Sequence, residues 1–285
     1  MDLFNPQESR ALLARHGFHF SKALGQNFLT QPWVPERIAE DAGIDEKTAV
    51  LEVGPGMGTL TQSLARHAAR VIAVELDRAL LPVLAETLAG YENVTVRQGD
   101  ILKENLPALV SEQMDGFKKI VCATLPYYIT TPIVTHLLES RLFDGVCVMV
   151  QKEVAERMAA KPATPEYGAF SVFVQYYAEP KILFPVPASC FVPQPKVESA
   201  VVYLKTRTAP PVPIADERLF FRVVRASFAQ RRKKLANGLT AAFGDKAQMT
   251  RILAACGFSE NVRGETLDIA AFARIANTIH EGAVS

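Results

Sequence analysis

The sequence predicts an α/β fold: an open, mostly parallel sheet wrapped in helices, with a small all-helical domain at the C-terminal end. Three observations carry this expectation. From residue 50 onward, short apolar runs alternate with helical patterns, the rhythm of strands joined by crossover helices. Residues 206–216 hold Pro210, Pro211 and Pro213 and show no periodicity, which suits a stiff linker. Residues 217–280 then keep helix-like spacing with no convincing strand. The chain is therefore expected to divide into a large domain over residues 1–205, a linker over 206–216 and a helical domain over 217–285.

Each element has a local reason. Asn5 reads as an N-cap, Pro6 as the first helical residue and Glu8 as the carboxylate of a capping box, which starts a helix running to Arg15. Residues 18–29 are polar and aromatic, with weak periodicity and a Gly25-Gln26-Asn27 turn signal, so a loop is expected there. A second helix is expected over 35–42. Strands follow at 50–53, 71–74, 94–96, 119–123 and 146–150, with helices between them, the first over 59–67. Segments near 181–184 and 200–204 supply two more strands, expected to form an antiparallel edge. Gly257 and Gly264 stand as helix stops in the C-terminal part.

With 285 residues and 49% hydrophobic content, the chain can build one large core and one small one. Its start, Met1-Asp2-Leu3-Phe4-Asn5-Pro6, lacks the basic and apolar runs of a signal peptide, and no later stretch is apolar for long enough to span a bilayer. A cytoplasmic protein with no membrane association is expected. Cys122, Cys147, Cys190 and Cys256 are scattered, which argues for reduced thiols and against a disulfide framework or a metal site. A net charge of +1 argues against a protein that grips nucleic acid by overall charge. Positive charge is nevertheless concentrated at Arg218, Arg222, Arg225, Arg231, Arg232, Lys233 and Lys234, which make either a basic surface or an ordinary solvated helix face. Nothing suggests an obligate partner chain, so a monomer is expected.

Four successive strand ends carry groups suited to a ligand. Glu52-Val53-Gly54-Pro55-Gly56-Met57-Gly58 follows the first strand, where glycines let the backbone approach a ligand closely. Its Gly-x-Gly-x-Gly spacing differs from the Gly-x-Gly-x-x-Gly of pyrophosphate binding, so the turn alone fits a dinucleotide, S-adenosylmethionine or no ligand. Glu75, at the end of the second strand, can accept from both hydroxyls of a ribose, or is an ordinary strand-end carboxylate. Turn and carboxylate together favour a nucleoside-containing ligand and leave nicotinamide and methionine cofactors tied. Asp100, after the third strand, tips the balance to the latter as an acceptor for an adenine amino group, although a lone Asp there would serve as a helix N-cap. Thr124-Leu125-Pro126-Tyr127 follows the fourth strand at the carboxyl edge where open sheets bind ligands.

The constellation resembles the small-subunit ribosomal RNA adenine N6,N6-dimethyltransferase family over nearly the whole chain. Thr124-Leu125-Pro126-Tyr127 looks like that family's Asn-Leu-Pro-Tyr tetrapeptide with its first residue changed. The likeness extends to Leu24-Gly25-Gln26-Asn27-Phe28-Leu29, Val74-Glu75-Leu76-Asp77, Gly99-Asp100, Ile129-Thr130-Thr131-Pro132, Gln151-Lys152-Glu153-Val154-Ala155-Glu156-Arg157 and Tyr167-Gly168. It continues through Phe191-Val192-Pro193-Gln194-Pro195-Lys196-Val197-Glu198-Ser199-Ala200 and Phe228-Ala229-Gln230-Arg231-Arg232-Lys233-Lys234. The resemblance implies a Rossmann-like class I methyltransferase domain that takes S-adenosyl-L-methionine and needs no metal. It places Asn27, Leu29, Gly54, Gly56, Glu75, Asp100 and Thr124 around that cofactor. Tyr127 would stack on the target adenine and Phe191 would form the opposite wall. The implied substrate is a pair of adjacent adenosines in the 3′-terminal hairpin of small-subunit ribosomal RNA, with the small ribosomal subunit as partner. The basic stretch Arg231, Arg232, Lys233 and Lys234, joined by Lys196 and Lys205, would contact phosphates and make binding salt-sensitive.

Adenine N6 is a poor nucleophile because its lone pair is delocalised into the ring. Acceptors aimed at its hydrogens, a side-chain oxygen and the Leu125 carbonyl held by Pro126, favour the attacking geometry and stabilise developing charge. Thr124 keeps an oxygen, but a hydroxyl on a β-branched carbon has less reach than an amide. Loss of one acceptor costs about 1–3 kcal/mol, roughly ten to over a hundredfold in rate, so lowered activity is expected. Two other readings remain in play. One is a large-subunit ribosomal RNA adenine methyltransferase; the other is a ribosome-assembly factor that binds small subunits without methylating. A nicotinamide-dependent dehydrogenase is a distant third, since it would leave Asp100 and Tyr127 without a role.

Overall fold

The computed structural model describes residues 2–19, 26–231 and 233–284. In chain order the elements are α1 (Pro6–Arg15), β1 (Phe28–Leu29), α2 (Trp33–Asp41), β2 (Thr48–Val53), α3 (Thr59–His67), β3 (Arg70–Glu75), α4 (Leu81–Thr87), β4 (Val94–Gln98), α5 (Leu106–Gln113), β5 (Lys118–Thr124), α6 (Thr130–Ser140), β6 (Gly145–Gln151) and α7 (Lys152–Ala159). They continue with α8 (Ala169–Tyr177), β7 (Ala178–Val186), β8 (Phe191–Val192), β9 (Ser199–Thr206), α9 (Glu217–Phe228), α10 (Leu235–Phe243), α11 (Lys246–Ala255) and α12 (Ile269–Val284). Two compact units result, one of Met1–Ala155 and Ala178–Thr206, the other of Glu156–Tyr177 and Arg207–Ser285.

The first unit is built on a seven-stranded sheet of order β4-β3-β2-β5-β6-β9-β7. The β4-β3-β2-β5-β6 pairs are parallel, and β9 runs antiparallel to both its neighbours. Residues of β2 are buried throughout, as expected of a strand covered by helices on both faces. The rims differ in composition. β4, Val-Thr-Val-Arg-Gln, is only partly covered, and β7 carries Pro180 and Pro185, tolerable because β9 is its one recorded neighbour. The expected antiparallel edge is there, with β9 placed one strand inward. Strand order reverses between β3-β2 and β5, which opens a crevice at the carboxyl ends of β2 and β5.

Asn5 caps α1 by accepting from the Gln7 and Glu8 amides, but Glu8 reaches back to the Asp2 amide instead of closing a box on Asn5. The expected loop over 18–29 is partly a strand. Phe28 and Leu29 pair antiparallel with Val192 and Phe191, and the Thr30 amide donates to the Cys190 carbonyl at 2.9 Å. Gly25 and Leu24 lie outside the described residues.

In the second unit, Asp216 caps α9 by accepting from the Arg218 and Leu219 amides. Phe220, Val223, Val224 and Ser227 bury one face of that helix at the expected spacing. Gly257 takes a left-handed turn after α11, as read. The boundary differs from the expectation of one crossing in the linker, because residues 156–177 belong to this unit as well. Tyr176 and Tyr177 both donate to the carboxylate of Glu217, and the Tyr167 hydroxyl donates to the Leu267 carbonyl at 2.8 Å. The linker is fastened too, since the Asn277 side chain accepts from Ala215 N–H and donates to the Pro213 carbonyl. Among the described residues no helix is long and apolar enough to cross a membrane.

Candidate active site

At the end of β2 the chain turns through Gly54 and Gly56, with φ of 70° and 62°, values that a side chain would strain. A Cβ on Gly54 would meet nothing within 4 Å, whereas one on Gly56 would press on the Phe28 ring at 3.1 Å. The first glycine therefore faces open space and the second is packed under the N-terminal segment. Glu75, only 6% exposed, secures the turn from β3. Its Oε2 accepts from Gly56 N–H at 3.1 Å and its Oε1 from Asp77 N–H at 2.8 Å. Burial raises the Glu75 carboxyl above the usual range, while these amide bonds pull it back. The Gln26 side chain donates to Asp77 at 2.8 Å and ties the N-terminal segment to the same corner.

Beneath the turn lies a second carboxylate, Glu52, to which the sequence assigns no role. Glu52 in β2 is 1% exposed, and its Oε2 has no hydrogen-bond partner. Burial pushes this carboxyl up to about 8, and the charge of Glu75 adds to the effect. Near neutral pH Glu52 therefore keeps its proton, and the charge beside the turn is that of Glu75.

Asp100 follows β4 and precedes a turn instead of the helix that an N-cap reading expects, since Asn105 caps α5. Asp100 lines the cleft, and its Oδ1 also accepts from Leu102 N–H at 3.1 Å within that turn. At the end of β5, Thr124 stands in register with Met149, and Leu125 N–H donates to the Met149 carbonyl at 3.1 Å. Pro126 then turns the chain into a short 3-10 segment, Tyr127–Ile129, whose start is held by the Thr130 hydroxyl donating to the Pro126 carbonyl at 3.2 Å. The Tyr127 hydroxyl lies 2.8 Å from Ser199 Oγ, and burial raises the phenol above its usual value. Ser199 is fully buried at the start of β9, and the sequence alone gives it no role. Its signal is the ladder order, which sequence spacing does not show.

One cleft collects these groups. Asn27, Leu29, Gly54, Gly56, Glu75, Asp100, Thr124, Leu125, Pro126, Tyr127 and Phe191 all line it, and all belong to the first unit. Pairing of β1 with β8 is what brings Leu29 beside Phe191. The cleft is open to solvent at its mouth, its space of about 1120 Å³ including that open part. Its charged described lining residues are Glu75 and Asp100, both acidic. A cationic sulfonium compound fits such a lining; a pyrophosphate does not. Among the described residues no group of three metal-ligating side chains could hold an ion.

The four basic residues lie in the second unit and are not equivalent. The Arg231 guanidinium donates to Glu265 at 2.8 Å and to the Thr164 carbonyl at 3.0 Å, so it holds residues 156–177 to the helices. Lys233 and Lys234 are exposed at the start of α10. Arg232 lies outside the described residues. Lys196 and Lys205 are exposed in the first unit.

Comparison with known proteins agrees with this geometry. The profile of the family described as ribosomal RNA adenine dimethylase matches residues 17–281. The chain is 48% identical over 284 residues to ribosomal RNA small subunit methyltransferase A of Geobacillus thermodenitrificans, covering 98% of this chain and 97% of that one. Among solved structures, a dimethyladenosine transferase from Plasmodium falciparum superposes with a TM-score of 0.77 at 24% identity, over 90% of this chain and 98% of that one, a likeness of fold. The 23S rRNA methyltransferase ErmE superposes with a TM-score of 0.67 at 25% identity, over 89% of this chain and 99% of that one.

Proposed function

Since the chain belongs to the ribosomal RNA adenine dimethylase family, we propose that it dimethylates N6 of two adjacent adenosines in the 3′-terminal hairpin of small-subunit ribosomal RNA. It is an S-adenosyl-L-methionine-dependent ribosomal RNA adenine methyltransferase. The observation that carries the finer reading is the shared cleft: the Leu125-Pro126-Tyr127 turn opens onto the same space as Gly54, Glu75 and Asp100.

S-adenosyl-L-methionine supplies an electrophilic methyl group when bound. The chain fits it: Gly54 leaves room where any side chain would stand, Glu75 and Asp100 offer acceptors to a ribose and an adenine amino group, and no cation opposes a sulfonium. Asn27 and Leu29 close the cofactor side through the β1–β8 pair, and Gly56 fixes the turn. Tyr127 and Phe191 offer aromatic surfaces to the target base, and stacking on such a platform is worth roughly 1–3 kcal/mol. No hydrogen bond among the described residues engages the Thr124 hydroxyl or the Leu125 carbonyl, so both oxygens can accept from N6. Loop adenosines suit the slot because unpaired bases are extruded at little cost.

Lys233 and Lys234, with Arg232, contact phosphates, and Arg231 braces them through Glu265. Ribosomal RNA as substrate supports a cytoplasmic location. The sharper likeness to a small-subunit enzyme, 48% identity against 25% for ErmE, favours the small subunit over the large one.

Incubation of the pure protein with unmethylated small subunits and S-adenosyl-L-methionine, followed by mass analysis of the ribosomal RNA, tests this reading. Two dimethyladenosines in the 3′-terminal hairpin are expected. Cofactor and subunit binding with no methyl transfer at long times would establish a binding-only assembly factor instead.

A further inference from the structure

We propose that Tyr128 is a second base platform, which holds the nucleotide next to the adenosine undergoing methylation; this rests on the functional reading above. Tyr127 and Tyr128 are consecutive and both line the cleft, yet the structure treats them differently. Tyr127 is partly buried and anchored on Ser199, whereas Tyr128 is 57% exposed, the most exposed of the large apolar side chains among the described residues. Among the described residues no hydrogen bond or ring contact holds Tyr128 as Ser199 holds Tyr127. A bulky aromatic left in water on the rim of a cleft is an unfavourable arrangement unless something covers it.

The turn sets what that something is. Both residues lie in the 3-10 segment Tyr127–Ile129, where successive side chains project about a third of a turn apart. Two such rings cannot stack on one base. If Tyr127 faces the base in the slot, Tyr128 faces a different nucleotide at the mouth. Extruding one adenosine from a loop strips its neighbour of a stacking partner, so an aromatic surface at that place replaces what the neighbour has lost. The substrate carries two adjacent adenosines, and the same ring would then hold one while the other occupies the slot. Fastening of the segment by the Thr130 hydroxyl and by Ile129 N–H, which donates to the Pro126 carbonyl at 3.2 Å, presents Tyr128 as a fixed surface.

A binding cycle tests this without relying on turnover. Unmethylated small subunits are rebuilt with ribosomal RNA that carries one abasic nucleotide 5′ or 3′ of the target adenosine, and affinities are measured for the parent chain, Tyr128→Ala and Tyr128→Phe. Tyr128→Ala should weaken binding about tenfold, and Tyr128→Phe should bind like the parent. The abasic change on one side should weaken the parent about tenfold and leave Tyr128→Ala nearly unaffected. Independent, multiplying losses on both sides would overturn the proposal. A parent chain that neither binds nor methylates intact subunits would sink the functional reading itself, and the platform with it.

Discussion

The two halves of the cleft are built in opposite ways. At the β2–β3 end the polar groups around the turn are engaged with one another: Glu75 takes two backbone amides, Gln26 holds Asp77, and Phe28 packs against Gly56. At the β5 end Leu125 N–H, Pro126 and Tyr127 are held by Met149, Thr130 and Ser199, while among the described residues no hydrogen bond engages the Thr124 hydroxyl or the Leu125 carbonyl. The first half spends stability on two buried acids, while the second carries no charge among its described lining. Binding is prepared in one half and chemistry is left open in the other, so substitutions in the two should separate into affinity effects and rate effects.

The largest expected effect concerns the cost of the first half. In the unfolded chain Glu52 releases its proton near the ordinary carboxylate pKa of 4.5, whereas in the fold it keeps the proton up to about 8. Its contribution to stability is thus full below the unfolded value and is lost as pH rises through that window. Denaturant melts of the ligand-free protein should show stability falling from pH 5 to 9, and Glu52→Gln should flatten that fall, gaining on the order of 2–4 kcal/mol over the parent at the alkaline end. Parallel curves for the two proteins would remove the buried acid from the comparison.

Next, Glu75→Ala strands the Gly56 and Asp77 amides and removes an acceptor, and calorimetry should show cofactor affinity reduced about a hundredfold, near 3 kcal/mol. A change of threefold or less would show that the half is not prewired. In the other half, Thr124→Asn should raise kcat by roughly ten to over a hundredfold, about 1–3 kcal/mol, with a smaller change in cofactor affinity. Equal rates would remove the acceptor argument. The smallest effect is expected at Ser199→Ala, which frees the Tyr127 ring: kcat should fall about fivefold, near 1 kcal/mol, with cofactor affinity unchanged. A change confined to cofactor affinity would place Ser199 in the wrong half.

Much of this was legible in the sequence. The central strands announced themselves because burial on both faces demands unbroken apolar runs such as Val50-Leu51 and Val71-Ile72. The glycine turn, Glu75 and the Leu-Pro-Tyr turn declared their places because each follows such a run, whereas Asp100 follows the alternating Val94-Thr95-Val96 of a partly covered strand. What escaped depended on long-range pairing. β1 and β8 are two residues each, too short for any periodicity, yet they set Leu29 against Phe191. Ser199 is an unremarked hydroxyl until β9 inserts beside β6 and carries it to Tyr127. Residues 156–177 have ordinary helical spacing, which does not say whose core they join. Arg231 read as one more charge in a basic run because its partners, Glu265 and Thr164, are 34 and 67 positions away.

The sheet's ladder order also governs how this protein comes off the ribosome that makes it. β9 is the last strand in the chain but lies inside the sheet, between β6 and β7. Until it has been translated, β7 has no neighbour to pair with, Tyr127 has no Ser199, and the wall containing Phe191 has only just emerged. A nascent chain therefore holds the glycine-turn corner well before the corner around Tyr127, and completes the cleft only when some two-thirds of its length has been synthesised.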